Sequence, residues 1–173
     1  MITFRDATIN DAEFVALCTL ASTGLYDFVH PMPEAIYDSL VRMCSRTDTL
    51  YSYSRARIAV VDGVDAGAIV SYPGAFYSEG RELSFGMIKA ASGMDFSDSD
   101  IECEPDEFYL DCLAVLPEFR GMGLGLALIR DAIDKALAHG YTKAACIVDE
   151  EETALMRYYE QVGFRAEKKV RVL

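Results

Sequence analysis

The stretch Leu113-Ala-Val-Leu-Pro-Glu-Phe-Arg-Gly-Met-Gly-Leu-Gly125 constrains this chain more than any other. An apolar run that passes through a proline turn into alternating glycines reads as a buried strand feeding the start of a helix. The first N–H groups of a helix have no partner in a preceding turn, and the positive end of the helix dipole lies behind them. Glycines at 121, 123 and 125 remove the Cβ atoms that would keep a pyrophosphate away from those donors, and Arg120 adds a positive charge at the mouth. The chain must therefore build a strand, turn and helix unit with an anion site at its joint.

Two other phosphate loops are poor matches. A Walker A loop requires Gly-Lys-Ser or Gly-Lys-Thr, which the sequence lacks. A dinucleotide fingerprint requires G-x-G-x-x-G beside the first strand of a βαβ unit, whereas the spacing here is G-x-G-x-G and falls past the middle of the chain.

The remaining sequence alternates strand and helix patterns. Ile2 to Asp6 reads as an opening strand, and Asn10 as the cap of a helix whose apolar stripe is Phe14, Val15, Leu17, Cys18 and Ala21. A second helix has Pro33 in its first turn and Ile36, Tyr37, Leu40, Val41 and Met43 or Cys44 as its buried stripe. Ile58 to Val61 and Ala68 to Tyr72 form a hairpin around Asp62 to Gly67. From Pro73 to Pro105 the pattern weakens, with a short helix expected over Glu82 to Ala91. Strands follow at Glu107 to Val115, Ala144 to Val148 and Phe164 to Leu173. Helices are expected at Leu124 to His139 and Glu152 to Val162, each stopped by a glycine. The fold class is α/β, or α+β by some schemes, with helices on the faces of a mixed sheet.

Composition narrows the partners. The 173 residues, 51% of them hydrophobic, suit one globular domain over 1–173. Lys and Arg number 16 against 28 Asp and Glu, a net charge of −12 that repels phosphate backbones and anionic lipid, so neither nucleic acid nor a membrane is an expected partner. Residues 95 to 111 carry Asp95, Asp98, Asp100, Glu102, Glu104, Asp106, Glu107 and Asp111 with no basic residue. That run is either a solvated loop or a field that attracts a cationic acceptor. Cys18, Cys44, Cys103, Cys112 and Cys146 are widely spaced and odd in number, which suggests neither a disulfide framework nor a zinc site and fits a soluble protein of the reducing cytoplasm. His30 before Pro31 and His139 at a helix end do not read as ligands, so no metal is expected.

The run Val115-Leu-Pro-Glu-Phe-Arg-Gly-Met-Gly-Leu-Gly125 resembles the acetyl-CoA signature of the GNAT superfamily, V-x-P-x-x-R/Q-G-x-G-I/L-G/A. Farther on, Met156-Arg-Tyr-Tyr-Glu-Gln-Val-Gly-Phe164 is similar to that family's A-x-x-L-Y-E-x-x-G-F ending. Order, spacing and the intervening strand agree over residues 107 to 165. The resemblance implies a central, mostly antiparallel mixed sheet of six to seven strands flanked by four to five helices. It also implies an N-acetyltransferase that uses acetyl-CoA as co-substrate. Arg120, Gly121, Met122, Gly123, Leu124 and Gly125 would hold the CoA pyrophosphate through their amides. Leu113, Ala114 and Val115 would pair with the pantetheine arm. The family often has Asn where this chain has Glu152, and a carboxylate can accept from that arm but not donate to it.

For chemistry, the resemblance places Tyr159 where relatives protonate the departing thiolate; adjacent Tyr158 points about 100° away around the helix. An amine must lose a proton to attack a thioester, and relatives often relay it through a carboxylate on the strand before the turn. Period-two alternation puts Glu107, Tyr109, Asp111, Leu113 and Val115 on one face, with Asp111 the first candidate base and Glu107 the second. Direct transfer in a ternary complex, with amides near Val115 polarising the thioester oxygen, is the expected mechanism. Cys112 has the opposite parity from Asp111 and reads as a buried, inert thiol rather than a ping-pong nucleophile. The acceptor is expected to be a small amine. A protein or peptide amine, a non-catalytic acyl-CoA-binding module and a homodimeric assembly remain open.

Overall fold

The computed structural model describes residues 1–24, 28 and 33–172, so His30 and Pro31 lie outside the described residues. Among the described residues five strands, β1 (Ile2–Asp6), β2 (Ala56–Val61), β3 (Val64–Pro73), β4 (Phe108–Val115) and β5 (Ala144–Ala145), line up in sequence order as one sheet. The first three pairings are antiparallel and β4 with β5 is parallel, which gives the mixed α/β architecture expected, with fewer strands. Five helices complete it among the described residues: α1 (Ala12–Ser22), α2 (Glu34–Cys44), α3 (Tyr77–Ser92), α4 (Leu124–Ala138) and α5 (Thr153–Val162).

The two faces of the sheet carry separate cores. On one, Val15, Ala16, Leu40, Met43 and Cys44 of α1 and α2 pack on Ile58, Val70, Tyr72 and Tyr109, with Phe85 and Ile88 of α3 at the margin. On the other, Leu128, Ile129, Ala132 and Ala136 of α4 pack on Ile69, Phe108 and Leu110, with Tyr158 and Tyr159 of α5 alongside. Asp131 of α4 accepts from the Arg57 guanidinium of β2 at 2.6 and 2.8 Å, which anchors that helix to the sheet. Among the described residues no helix is long and apolar enough to cross a membrane.

Several boundaries differ from those expected, each for a local reason. The β2–β3 turn is only Asp62 and Gly63, both at positive φ (50° and 87°), the geometry a two-residue hairpin needs. Ahead of α1, the capping pair is Thr8 and Asp11 rather than Asn10: Asp11 Oδ2 accepts from the Thr8 N–H at 2.7 Å and hydroxyl at 2.9 Å. Pro33 takes the N-cap of α2. Residues 164–172 form no strand, although Asp100 N–H donates to the Arg171 carbonyl at 2.7 Å and Asp100 Oδ2 accepts from the Arg171 N–H at 2.7 Å.

The most consequential departure lies in β4. Val70 pairs with Cys112 and Ser71 with Leu110, so Asp111 is an extra residue, a β-bulge. Strict alternation therefore breaks at Asp111. Tyr109 and Cys112 face the α1 side, whereas Leu113 and Val115 turn to the α4 side. The single face expected for Tyr109, Asp111, Leu113 and Val115 does not form, and Asp111 and Cys112 do not have opposite parity.

Candidate active site

Beyond β4 the chain enters a single 3-10 turn at Pro117–Phe119 and then two left-handed glycines, Gly121 (φ 79°) and Gly123 (φ 78°). Gly123 is the N-cap of α4, and the first helical bond runs from Ala127 N–H to its carbonyl at 3.1 Å. The amides of Leu124, Gly125 and Leu126 thus precede the helical ladder. Among the described residues, and apart from the two chain neighbours, no atom lies within 4 Å of where a Cβ would stand at Gly121 or Gly123. Leu124 is buried against Val61 and Ala66 and pins the turn to the sheet, while Met122 is exposed. Arg120 folds back, its Nε donating to the Val115 carbonyl at 3.1 Å. A cradle of this composition fits a pyrophosphate.

Among the described residues β4 pairs with β5 only at Phe108 with Ala144 and Tyr109 with Ala145. From Leu110 to Val115 the edge facing β5 has no strand partner among those residues, which leaves a wedge beside Leu113, Ala114 and Val115. Tyr159 of α5 packs edge-on against Phe164 at 5.4 Å and Tyr158 at 5.9 Å. Burial raises its phenol above the ordinary value, so it stays protonated at neutral pH. Tyr158 sits nearer the glycine turn: a Cβ at Gly125 would stand 3.3 Å from its hydroxyl.

Asp111 lies at the bulge, half-buried. The Tyr72 hydroxyl donates to its Oδ2 at 2.5 Å and the Cys112 thiol to its Oδ1 at 3.1 Å. Burial, followed by the charge of Glu102, pushes its carboxyl up to about 6, while the Tyr72 and Cys112 donors pull the other way. Burial, then the charge of Asp111, pushes the Cys112 thiol well above its ordinary value, which keeps it a neutral donor. Glu102 is the residue missed from sequence as part of this group. It accepts from Tyr77 at 2.9 Å and from Tyr109 at 2.5 Å. Its only sequence signal is membership of the acidic run.

The structure does not bring every candidate together. Glu107 lies just outside β4, where its carboxylate accepts from the Glu104 N–H at 2.7 Å and closes a local turn. Glu152 is the exposed N-cap of α5 and its carboxylate makes no capping bond.

Comparison with known proteins places this geometry. The profile of the acetyltransferase (GNAT) family matches residues 36–164. No curated protein sequence matches the chain. Among solved structures, an N-acetyltransferase from Staphylococcus aureus Mu50 superposes with a TM-score of 0.78 at 20% identity, over 98% of this chain and 94% of that one. A second acetyltransferase gives a TM-score of 0.73 at 23% identity, over 96% and 90%. The aminoglycoside N-acetyltransferase AAC(6′)-Iy in complex with CoA gives 0.62 at 17%, over 98% and 91%. The structural likenesses show the fold, and the family profile spans most of the sequence: the chain belongs to the acetyltransferase (GNAT) family.

Proposed function

We propose that the whole chain, as one domain, transfers the acetyl group of acetyl-CoA to the primary amine of a small cationic molecule by direct attack. The observation that carries this reading is the arrangement along β4. One strand ends in the glycine cradle and holds a carboxylate of raised pKa at its bulge, with the open edge between them. In this reading the amides from Arg120 to Gly125 grip the pyrophosphate, and the free edge at Leu113, Ala114 and Val115 pairs with the pantetheine arm. Glu152, at the start of α5, accepts from that arm. An amide of β4 near Val115 polarises the thioester oxygen.

Asp111 takes the proton that the amine loses. A carboxyl near 6 is ionised at neutral pH yet more basic than an ordinary aspartate, which suits a general base. Tyr159 returns a proton to the thiolate as the C–S bond breaks. The protons balance: an ammonium acceptor gives one proton through Asp111 to solvent before attack and a second as the amide forms, which replaces the one the Tyr159 phenol gave to the thiolate. The overall negative charge supports a cationic acceptor, as does the likeness to an aminoglycoside acetyltransferase. Five free cysteines suit the reducing cytoplasm.

The test is thiol release from acetyl-CoA with a panel of amines, followed by Tyr159→Phe and Asp111→Asn with the best acceptor. Both changes are expected to slow turnover. Absence of thiol release with every amine in the panel would favour a binding module, and unchanged rates in both variants would remove the assigned roles.

A further inference from the structure

The acidic run sorts into two classes in space. Five of its carboxylates are met by the chain's own cations or backbone, Glu107 among them through the Glu104 N–H at 2.7 Å. Lys89 reaches Asp95 at 2.5 Å, Lys143 reaches Asp106 at 3.0 Å, Lys168 reaches Glu104 at 2.6 Å and the Arg171 N–H reaches Asp100 at 2.7 Å. Glu102 and Asp111 turn inward and, among the described residues, receive only phenol and thiol donors. Among the described residues no lysine or arginine pairs with either. Arg81, whose guanidinium lies 5.8 Å over the Tyr77 ring, directs its donors to the Phe96 and Ser99 carbonyls instead.

The two inward carboxylates are joined by tyrosines. Tyr72, which holds Asp111, and Tyr109, which holds Glu102, have ring centroids 5.7 Å apart, and Tyr77 lies 6.1 Å from Tyr109. All three rings are buried, while Glu102 and Asp111 are half-buried. Like charges held close on an aromatic wall repel, and each has lost part of its hydration. Phenols satisfy their hydrogen bonds but not their charge. A cation from outside would satisfy both charges, and ammonium groups are favoured beside tyrosine faces.

We propose that Glu102 is the specificity-determining residue of the acceptor site and selects amines that carry a second ammonium group. One amine is presented at Asp111 for acetylation while the other pairs with Glu102. The proposal rests on the reading of Asp111 as the acceptor-side base.

Its test compares kcat/KM for 1,3-diaminopropane, 1,4-diaminobutane and 1,6-diaminohexane with that for n-propyl-, n-butyl- and n-hexylamine, each with acetyl-CoA. At least one diamine should exceed its matched monoamine by about tenfold or more, the effect of one hydrogen bond to a charged group. Glu102→Gln should collapse that ratio towards one and Glu102→Asp should keep part of it, with coenzyme A affinity checking that each variant folds. Equal kcat/KM for every matched pair in the wild type would overturn the proposal without any variant. An unchanged ratio in folded Glu102→Gln would do the same. Calorimetry with the same diamines separates this claim from the catalytic one. Diamine binding that Glu102→Gln weakens, in the absence of turnover, would uphold Glu102 and sink the acetyl transfer. Turnover without diamine preference would do the reverse.

Discussion

The hydroxyl of Tyr72 on β3 donates to Asp111 Oδ2 on β4 across 2.5 Å, bridging the point where the two strands lose their regular register. This contact fixes the direction of the proposed base and stabilises its charged form. Tyr72→Phe removes a donor that holds the Asp111 carboxyl down, so its pKa should rise from about 6. The acid limb of kcat/KM against pH should move up by about one unit, the equivalent of one charge-assisted hydrogen bond. An acid limb that stays in place would show that Asp111 is not the group being titrated.

Asp111 should cost stability as well as supply chemistry. Its folded value of about 6 lies above the ordinary 3.8, so the folded state binds the proton more tightly than the unfolded one. Its contribution to stability therefore falls as pH rises through that window, and the full cost persists above it. Asp111→Asn should cut turnover by about two orders of magnitude. The same variant should gain about 1–3 kcal/mol at pH 8, a few degrees in Tm. That gain should disappear near pH 4, as thermal melts at the two pH values would show.

Glycine matters for different reasons at two positions. Gly123 holds φ 78° in open space, so Gly123→Ala should cost only about 1–2 kcal/mol of stability while weakening coenzyme A binding severalfold. Gly67 faces β4 closely, and a Cβ there would stand 2.6 Å from the Ala114 carbonyl oxygen. Gly67→Ala should therefore force β3 from β4 and cost about 1–3 kcal/mol or more. Urea unfolding of both variants, paired with coenzyme A titration, separates the two effects.

Much of the frame was legible because short-range signals dictate it. The opening strand matches its expected span, and α4 and α5 stop at Gly140 (φ 84°) and Gly163 (φ 111°) as the C′ rule requires. The cradle was legible for the same reason. The early part of α3 was not, since Tyr77-Ser-Glu-Gly80 has weak helix propensity. It is fixed instead by packing, with Gly80 pressed so closely on Leu50 and Phe76 that a Cβ would stand 2.5 Å from the Phe76 ring. The β4 bulge was hidden because pairing with β3, distant in sequence, decides register. With it went the union of Asp111 and Cys112 and the part played by Glu102. The alternating tail from Phe164 had the pattern of a strand but meets the acidic loop through Asp100 rather than a sheet edge.

The account depends above all on the start of α4 as a grip for coenzyme A. Isothermal titration of the purified protein with coenzyme A and with acetyl-CoA tests this most directly. Saturable binding of one molecule per chain, weakened in Gly123→Ala, is the expected result. No heat of binding from either ligand, with a protein shown to be folded, would contradict it.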